Sequence, residues 1–259
     1  MAVDMFIKID TVDGEAQDTK HKKEIDVLHW SWGMSNGGMD ALLQGLAAPP
    51  VPVEIKGAII AEAKKRSRTS LGVVLGRMRA LESAIDAANQ LSGNGKTVAL
   101  AGLRRTFARD IAIIADKLRT KGDPLSKEFG SALASARQLV QNNIDESSGV
   151  IDEGTVGRCE ASQYTPPGVP FAATQRTARD PRVSVCTPFF EENDDMQRDV
   201  ITHEFFHLVG LADVKNITST ADALNDANTV AQVVAYMHDR RRTKDSSGLS
   251  QPSVAYPSP

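Results

Sequence analysis

No stretch of this sequence approaches the roughly 18–20 consecutive apolar residues that a bilayer span requires. No membrane span is therefore expected. There is no excess of positive charge either. Lys and Arg total 30 against 33 Asp and Glu, a net charge of −3. That balance excludes a nucleic-acid binder driven by bulk charge. A signal peptide is lacking: in the opening MAVDMFIKID the apolar stretch is short, acidic residues interrupt it, and no cleavage-site pattern follows. The expectation is synthesis in the cytoplasm, with any export by a route that reads no such signal. Cysteine is nearly absent, and Cys159 and Cys186 are the only two. They are either two buried free thiols or one disulfide. The bond would close a loop of about 28 residues, add about 3 kcal/mol on a chain-entropy account, and form only in an oxidising compartment. Apolar residues are plentiful, at 41% of 259. That is enough for a buried core in one large domain or two small ones.

Residues 3–9 alternate apolar and polar, and so do residues 25–32, through Ile25, Val27, Trp30 and Trp32. Period two predicts two strands, with a polar loop between them and a stop at Asn36-Gly37-Gly38. Pro49, Pro50 and Pro52 then favour an extended linker over residues 39–52. From Val53 to about Ile144 the apolar positions recur every three or four residues. Leu71, Val74, Leu75, Met78, Leu81 and Ile85 form one such stripe, and Leu103, Phe107, Ile111, Ile114 and Leu118 another. This predicts three or four helices packed on one another, broken near Ser92-Gly93-Asn94-Gly95 and Gly122-Asp123-Pro124. Residues 149–182 read as loop with short extended pieces, and 182–190 as a strand ended by Thr187-Pro188. A helix is expected over Met196–Val209, capped by Asp194 or Asp195. Another is expected from about Thr218 or Ser219 to Asp239, with a disordered tail over 240–259. The expected fold is α+β and mostly helical with a small sheet. Residues 1–38 form a leader, and 53–239 form a domain with a helical half to 148 and a site half from 149.

The chemistry concentrates in His203-Glu204-Phe205-Phe206-His207-Leu208-Val209-Gly210-Leu211-Ala212-Asp213. Residues four apart lie on one face of a helix, so His203 and His207 can offer two imidazole nitrogens to one ion. Glu204 sits about 100° round the helix, where it can take a proton from a metal-activated water without being a ligand. A catalytic zinc takes three protein ligands and keeps one position open. Gly210 can end the helix through a left-handed turn, which lets Asp213 return to the ion as the third. Asp222 and Asp226 are weaker candidates for that place. They read more simply as first-turn residues of the final helix, favoured there by the helix dipole. The expected cofactor is one catalytic Zn2+.

The C-terminal segment resembles the aspzincin metallopeptidases, the deuterolysin-like and lysine-specific group. The resemblance rests on Val185-Cys186-Thr187-Pro188-Phe189-Phe190, on Ile201-Thr202-His203-Glu204-Phe205-Phe206-His207, on Gly210 and Asp213, and on Leu224-Asn225-Asp226-Ala227-Asn228. It covers roughly 155–240 and implies a zincin-like metallopeptidase domain cleaving a protein or peptide substrate. Two positions depart. Leu211 replaces the family threonine, and Asn216 falls where the family has an oxyanion-stabilising tyrosine. Asn216, Tyr236 or Tyr164 would then be the donor. The same spacing also fits an aspartate variant of the metzincin pattern, with Met237 as its Met-turn, a second choice because Met237 lies in an expected helix.

Residues 1–36 resemble the start of Hcp, the tube-forming protein of type VI secretion, through MAVDMFIKID and HKKEIDVLHWSWGMS. The resemblance implies an Hcp-like leader joined to a toxin. Such a chain would leave the cytoplasm through a type VI system and act in a target cell, in the periplasm or in a host. Its partners would be Hcp tube subunits and a cognate immunity protein. Two other functions fit parts of the sequence: a structural or adaptor component of the tube, and a zinc hydrolase of peptidoglycan peptide stems.

Overall fold

The computed structural model describes residues 52–160, 170–176 and 181–239. The chain divides between Pro52 and Val53. The expected leader strands, the linker up to residue 51, Tyr164 and the 240–259 tail, with Arg240, Arg241 and Arg242, lie outside the described residues.

Helix α1 runs unbroken over Val53–Asn89. Its stripe of Leu71, Val74, Leu75, Met78, Leu81 and Ile85 is buried throughout, as the three-and-four spacing requires. Helices α2 (Gly93–Thr106), α3 (Ala108–Lys117) and α4 (Lys127–Asp145) follow. The break between α2 and α3 at Phe107 has no glycine or proline signal and was not expected. The Ser126 hydroxyl starts α4 by accepting from the Phe129 amide. Phe129, Ala132, Leu133, Ala136 and Val140 of α4 are buried in the same core.

The stretch read as loop contains two strands, β1 (Gly149–Gly154) and β2 (Ala172–Gln175). Strand β3 (Arg182–Cys186) ends where a 3₁₀ turn begins at Thr187-Pro188. The sheet order is β1-β3-β2, with β1 parallel and β2 antiparallel to β3. Cys159, in a 3₁₀ turn after β1, and Cys186, the last residue of β3, form a disulfide with an S–S distance of 1.96 Å. Both are fully buried.

Helix α5 (Asp194–Leu208) touches α1, α4, α7, β2 and β3. Most of its residues are therefore buried, polar ones included. Its cap is Asn193, not Asp194 or Asp195. The Asn193 Oδ1 accepts from the Asp195 and Met196 amides at 3.0 Å. The single C-terminal helix expected from Thr218 or Ser219 is two, α6 (Thr220–Asn225) and α7 (Ala227–His238). They part at Asp226, whose backbone is extended at φ −98 and ψ 116. Asp226 forms a parallel bridge to Ala212 there, and that long-range bond competes successfully with helix continuation. No helix among the described residues is long and apolar enough to cross a membrane.

Candidate metal centre

Helix α5 presents His203, Glu204 and His207. A potential ligand atom of each lies within 4.8 Å of the others. Two contacts fix the helix at this point. Ser67 of α1 meets the Thr202 hydroxyl at 2.7 Å, and the Asn143 amide of α4 donates to the Thr202 carbonyl at 3.0 Å. Phe205 and Phe206, inside the motif, are buried, while Leu208 and Val209 are only partly covered.

Gly210 ends the helix at φ +112, a conformation that costs glycine little and other residues much. Its amide donates to the His207 carbonyl, and the Leu211 amide to the Phe206 carbonyl, each at 3.0 Å. The chain thus folds back under the motif. The Leu211 carbonyl lies 3.0 Å from His207 Nδ1 and also accepts from Arg176 at 3.0 Å. A carbonyl can only accept, so His207 Nδ1 carries a proton, and in the neutral ring the lone pair for a ligand is on Nε2.

Asp213 follows in the same turn. Its carboxylate lies 3.6 Å from His203 Nε2 and 3.4 Å from His207 Nε2. The two Nε2 atoms are 3.1 Å apart. Bonds of about 2.0–2.1 Å at a tetrahedral centre would separate two donors by about 3.3 Å. The histidine pair lies near that value, and Asp213 approaches the pair through both oxygens, Oδ1 toward His203 and Oδ2 toward His207, so two imidazoles and one carboxylate suit a zinc ion in donor chemistry and approximate spacing. The local field favours a cation as well. Burial works against charge on His207, but the hydrogen bond to Asp213 and the charges of Glu204 and Asp213 push it up to about 9. Burial opposes charge on Asp213, but its bond to His207 together with the charges of His207 and His203 holds it below its ordinary value. Burial holds His203 below the usual imidazole value even though Glu204 opposes it.

Glu204 is 2% exposed. The Thr174 hydroxyl of β2 lies 2.6 Å from its Oε2 and 3.0 Å from its backbone carbonyl. Oε1 is left 4.0 Å from His203 Nε2, facing the histidine pair. Sequence reasoning missed Thr174. It sits thirty residues away in a Gly-, Pro- and Thr-rich stretch, and no local pattern marks it.

Of the expected oxyanion donors, Tyr164 lies outside the described residues, and neither Tyr236 nor Asn216 bonds to this cluster. Tyr236 is buried on α7 beneath Lys117, whose Nζ is 4.6 Å from the ring centroid. Its hydroxyl finds no hydrogen-bond partner among the described residues. Asn216 is exposed beyond Asp213. Asp222 closes a capping box with Ser219, and Asp226 caps α7 through the Thr229 amide. Asp222 thus sits in a first turn as expected, though of the short α6, whereas Asp226 is the cap of a second helix and not a first-turn residue. Met237 lies within α7, fully buried, and makes no turn.

Residues 6–47 match the family described as type VI secretion system effector, Hcp. Protein hcp1 of Pseudomonas aeruginosa is 68% identical over 31 residues, which are 12% of this chain and 19% of that protein. The chain thus spans less than a fifth of the length of the curated relative it matches. The N-terminal segment is Hcp-like, and the family match ends before α1 begins. No solved structure matches the chain.

Proposed function

We propose that this chain is a type VI secretion-associated toxin whose 53–239 region is a zinc metallopeptidase. One observation carries the reading: His203, His207 and Asp213 converge at 3.1–3.6 Å beside a buried, clamped Glu204. When bound, zinc would supply the Lewis acidity that makes a water nucleophilic near neutral pH. His203 and His207 would hold it through Nε2, and Asp213 through its carboxylate. Leu211 fixes the His207 tautomer. Glu204 Oε1 faces the same space and is the general base, taking a proton there and returning it to the leaving amine. The substrate is a protein or peptide. The Hcp-like leader supports delivery without a signal peptide, with Hcp subunits as carriers, an immunity protein in the producer, and the periplasm or a host as the site of action.

The Hcp match also favours a second reading, in which the chain is a structural or adaptor part of the secretion tube. A third keeps the same site but takes peptidoglycan peptide stems. The deciding experiment measures zinc in the purified full chain, then hydrolysis of denatured protein and of purified cell wall. One equivalent of zinc is expected, with protein cleavage reduced about 10²- to 10⁴-fold in Glu204→Gln. Full activity in Glu204→Gln would remove Glu204 as the base. Cell-wall cleavage alone would select the third reading, and tube assembly without hydrolysis the second.

A further inference from the structure

We propose that Asp226 is the positioning residue that sets Asp213 against the two histidines. This rests on the metal-centre reading and extends it to a residue outside the ligand set. Asp213 itself is poorly held by packing, since its side chain is 34% exposed. Its neighbours supply the constraint. The Ala212 amide donates to the Asn225 carbonyl at 2.9 Å, and the Ala227 amide to the Ala212 carbonyl at 2.8 Å. On the other side, the Val214 amide donates to Asp226 Oδ1 at 2.9 Å. Asp213 therefore lies between two residues whose main chains are both tied to the start of α7.

The Asp226 carboxylate is 2% exposed and works in two directions. Oδ1 takes the Val214 amide. Oδ2 takes the Thr229 amide at 2.7 Å and the Thr229 hydroxyl at 2.6 Å. The two N–H groups arrive at different oxygens of the carboxylate, Val214 at Oδ1 and Thr229 at Oδ2, so each needs an acceptor at its own position. Asparagine is as good an N-cap as aspartate, but it has one acceptor oxygen and an NH₂ that can only donate. In Asp226→Asn one of the two amides must lose its partner. The cap is satisfied locally within α7, so the Val214 contact is the one given up. A pure capping residue would tolerate this exchange, whereas a residue that holds the ligand turn would not.

The test uses the full 259-residue chain. Zinc affinity is measured by competition with a chromogenic chelator. Helix content of the metal-free protein is followed by circular dichroism, and amide exchange at Val214 by NMR. Asp226→Asn is expected to keep its helix content and bind zinc about 10- to 100-fold more weakly. Thr229→Val removes only the hydroxyl from Oδ2 and is expected to stay within about twofold of wild type. The Val214 amide is expected to be protected in the wild type. Wild-type zinc affinity in Asp226→Asn overturns the proposal. So does an equal loss in Thr229→Val, because cap stability would then account for the effect. If Asp226→Asn does not fold, rapid Val214 exchange in the wild type overturns the proposal alone, and protection there supports it. Should the wild type take up no zinc, the metal-centre reading fails, while Val214 exchange still reports whether Asp226 holds the turn.

Discussion

The helical half, residues 53–145, and the site half, residues 149–239, bury different things. Of the buried polar and charged residues, Ser67, Ser70, Asp110 and Asn143 belong to the first, and Ser184, Gln197, Arg198, Asp199, Thr202, Glu204, His207, Asp226 and Thr229 to the second. Two of the four in the helical half, Ser67 and Asn143, are bonded to Thr202, directly before His203. A buried polar group adds little net stability when paired and is costly when unpaired. Its gain is geometric. Apolar packing is shared, with Phe206, Val233 and Met237 of the site half in the same core as Phe129 and Leu133, and the site half differs by keeping most of the buried polar groups at fixed distances within it.

This division can be broken from either side. The largest effect is expected from changing His203 and His207 together to alanine. Zinc stoichiometry should fall from one to zero while helical circular dichroism persists. Retained metal would dissolve the site half's assigned role. Next comes Phe129→Ala in the helical half, where a fully buried ring is lost. Urea unfolding should show a loss of about 3–5 kcal/mol, yet the folded fraction should bind zinc as before. A parallel fall in affinity would mean that core and site are not separable. The smallest effect sharpens the comparison within the site half. Thr174→Val removes a bond to a buried carboxylate and should lower kcat about tenfold, with KM and metal content unchanged. Thr174→Ser should restore the rate. A change in KM instead would place Thr174 in substrate binding.

The helical half was largely legible in the sequence, because a continuous aliphatic stripe has one physical solution, burial against another stripe. The histidine pair was legible for the same kind of reason, since both residues sit on one turn of one helix. What escaped depends on contacts distant in sequence. Asn193, Asp194 and Asp195 are all competent caps by residue type, and local sequence does not distinguish them, whereas the helix starts after Asn193. Asn225-Asp226 reads as helix until Ala212 pairs with it. Thr174 gains its meaning from a strand pairing, in which β2 runs against β3 and brings the hydroxyl to α5. Tyr236 was a candidate by residue type, but helical periodicity turns it into the α7 core with Val233 and Met237.

The bond between Cys159 and Cys186 turns residues 159–186 into a closed covalent ring. Strands β2 and β3 both lie inside it. A single backbone cut anywhere in that ring separates no fragment. Thr174 remains tethered to α5 on both sides of the nick. Such a cut molecule would run as one species without reductant and as two with it.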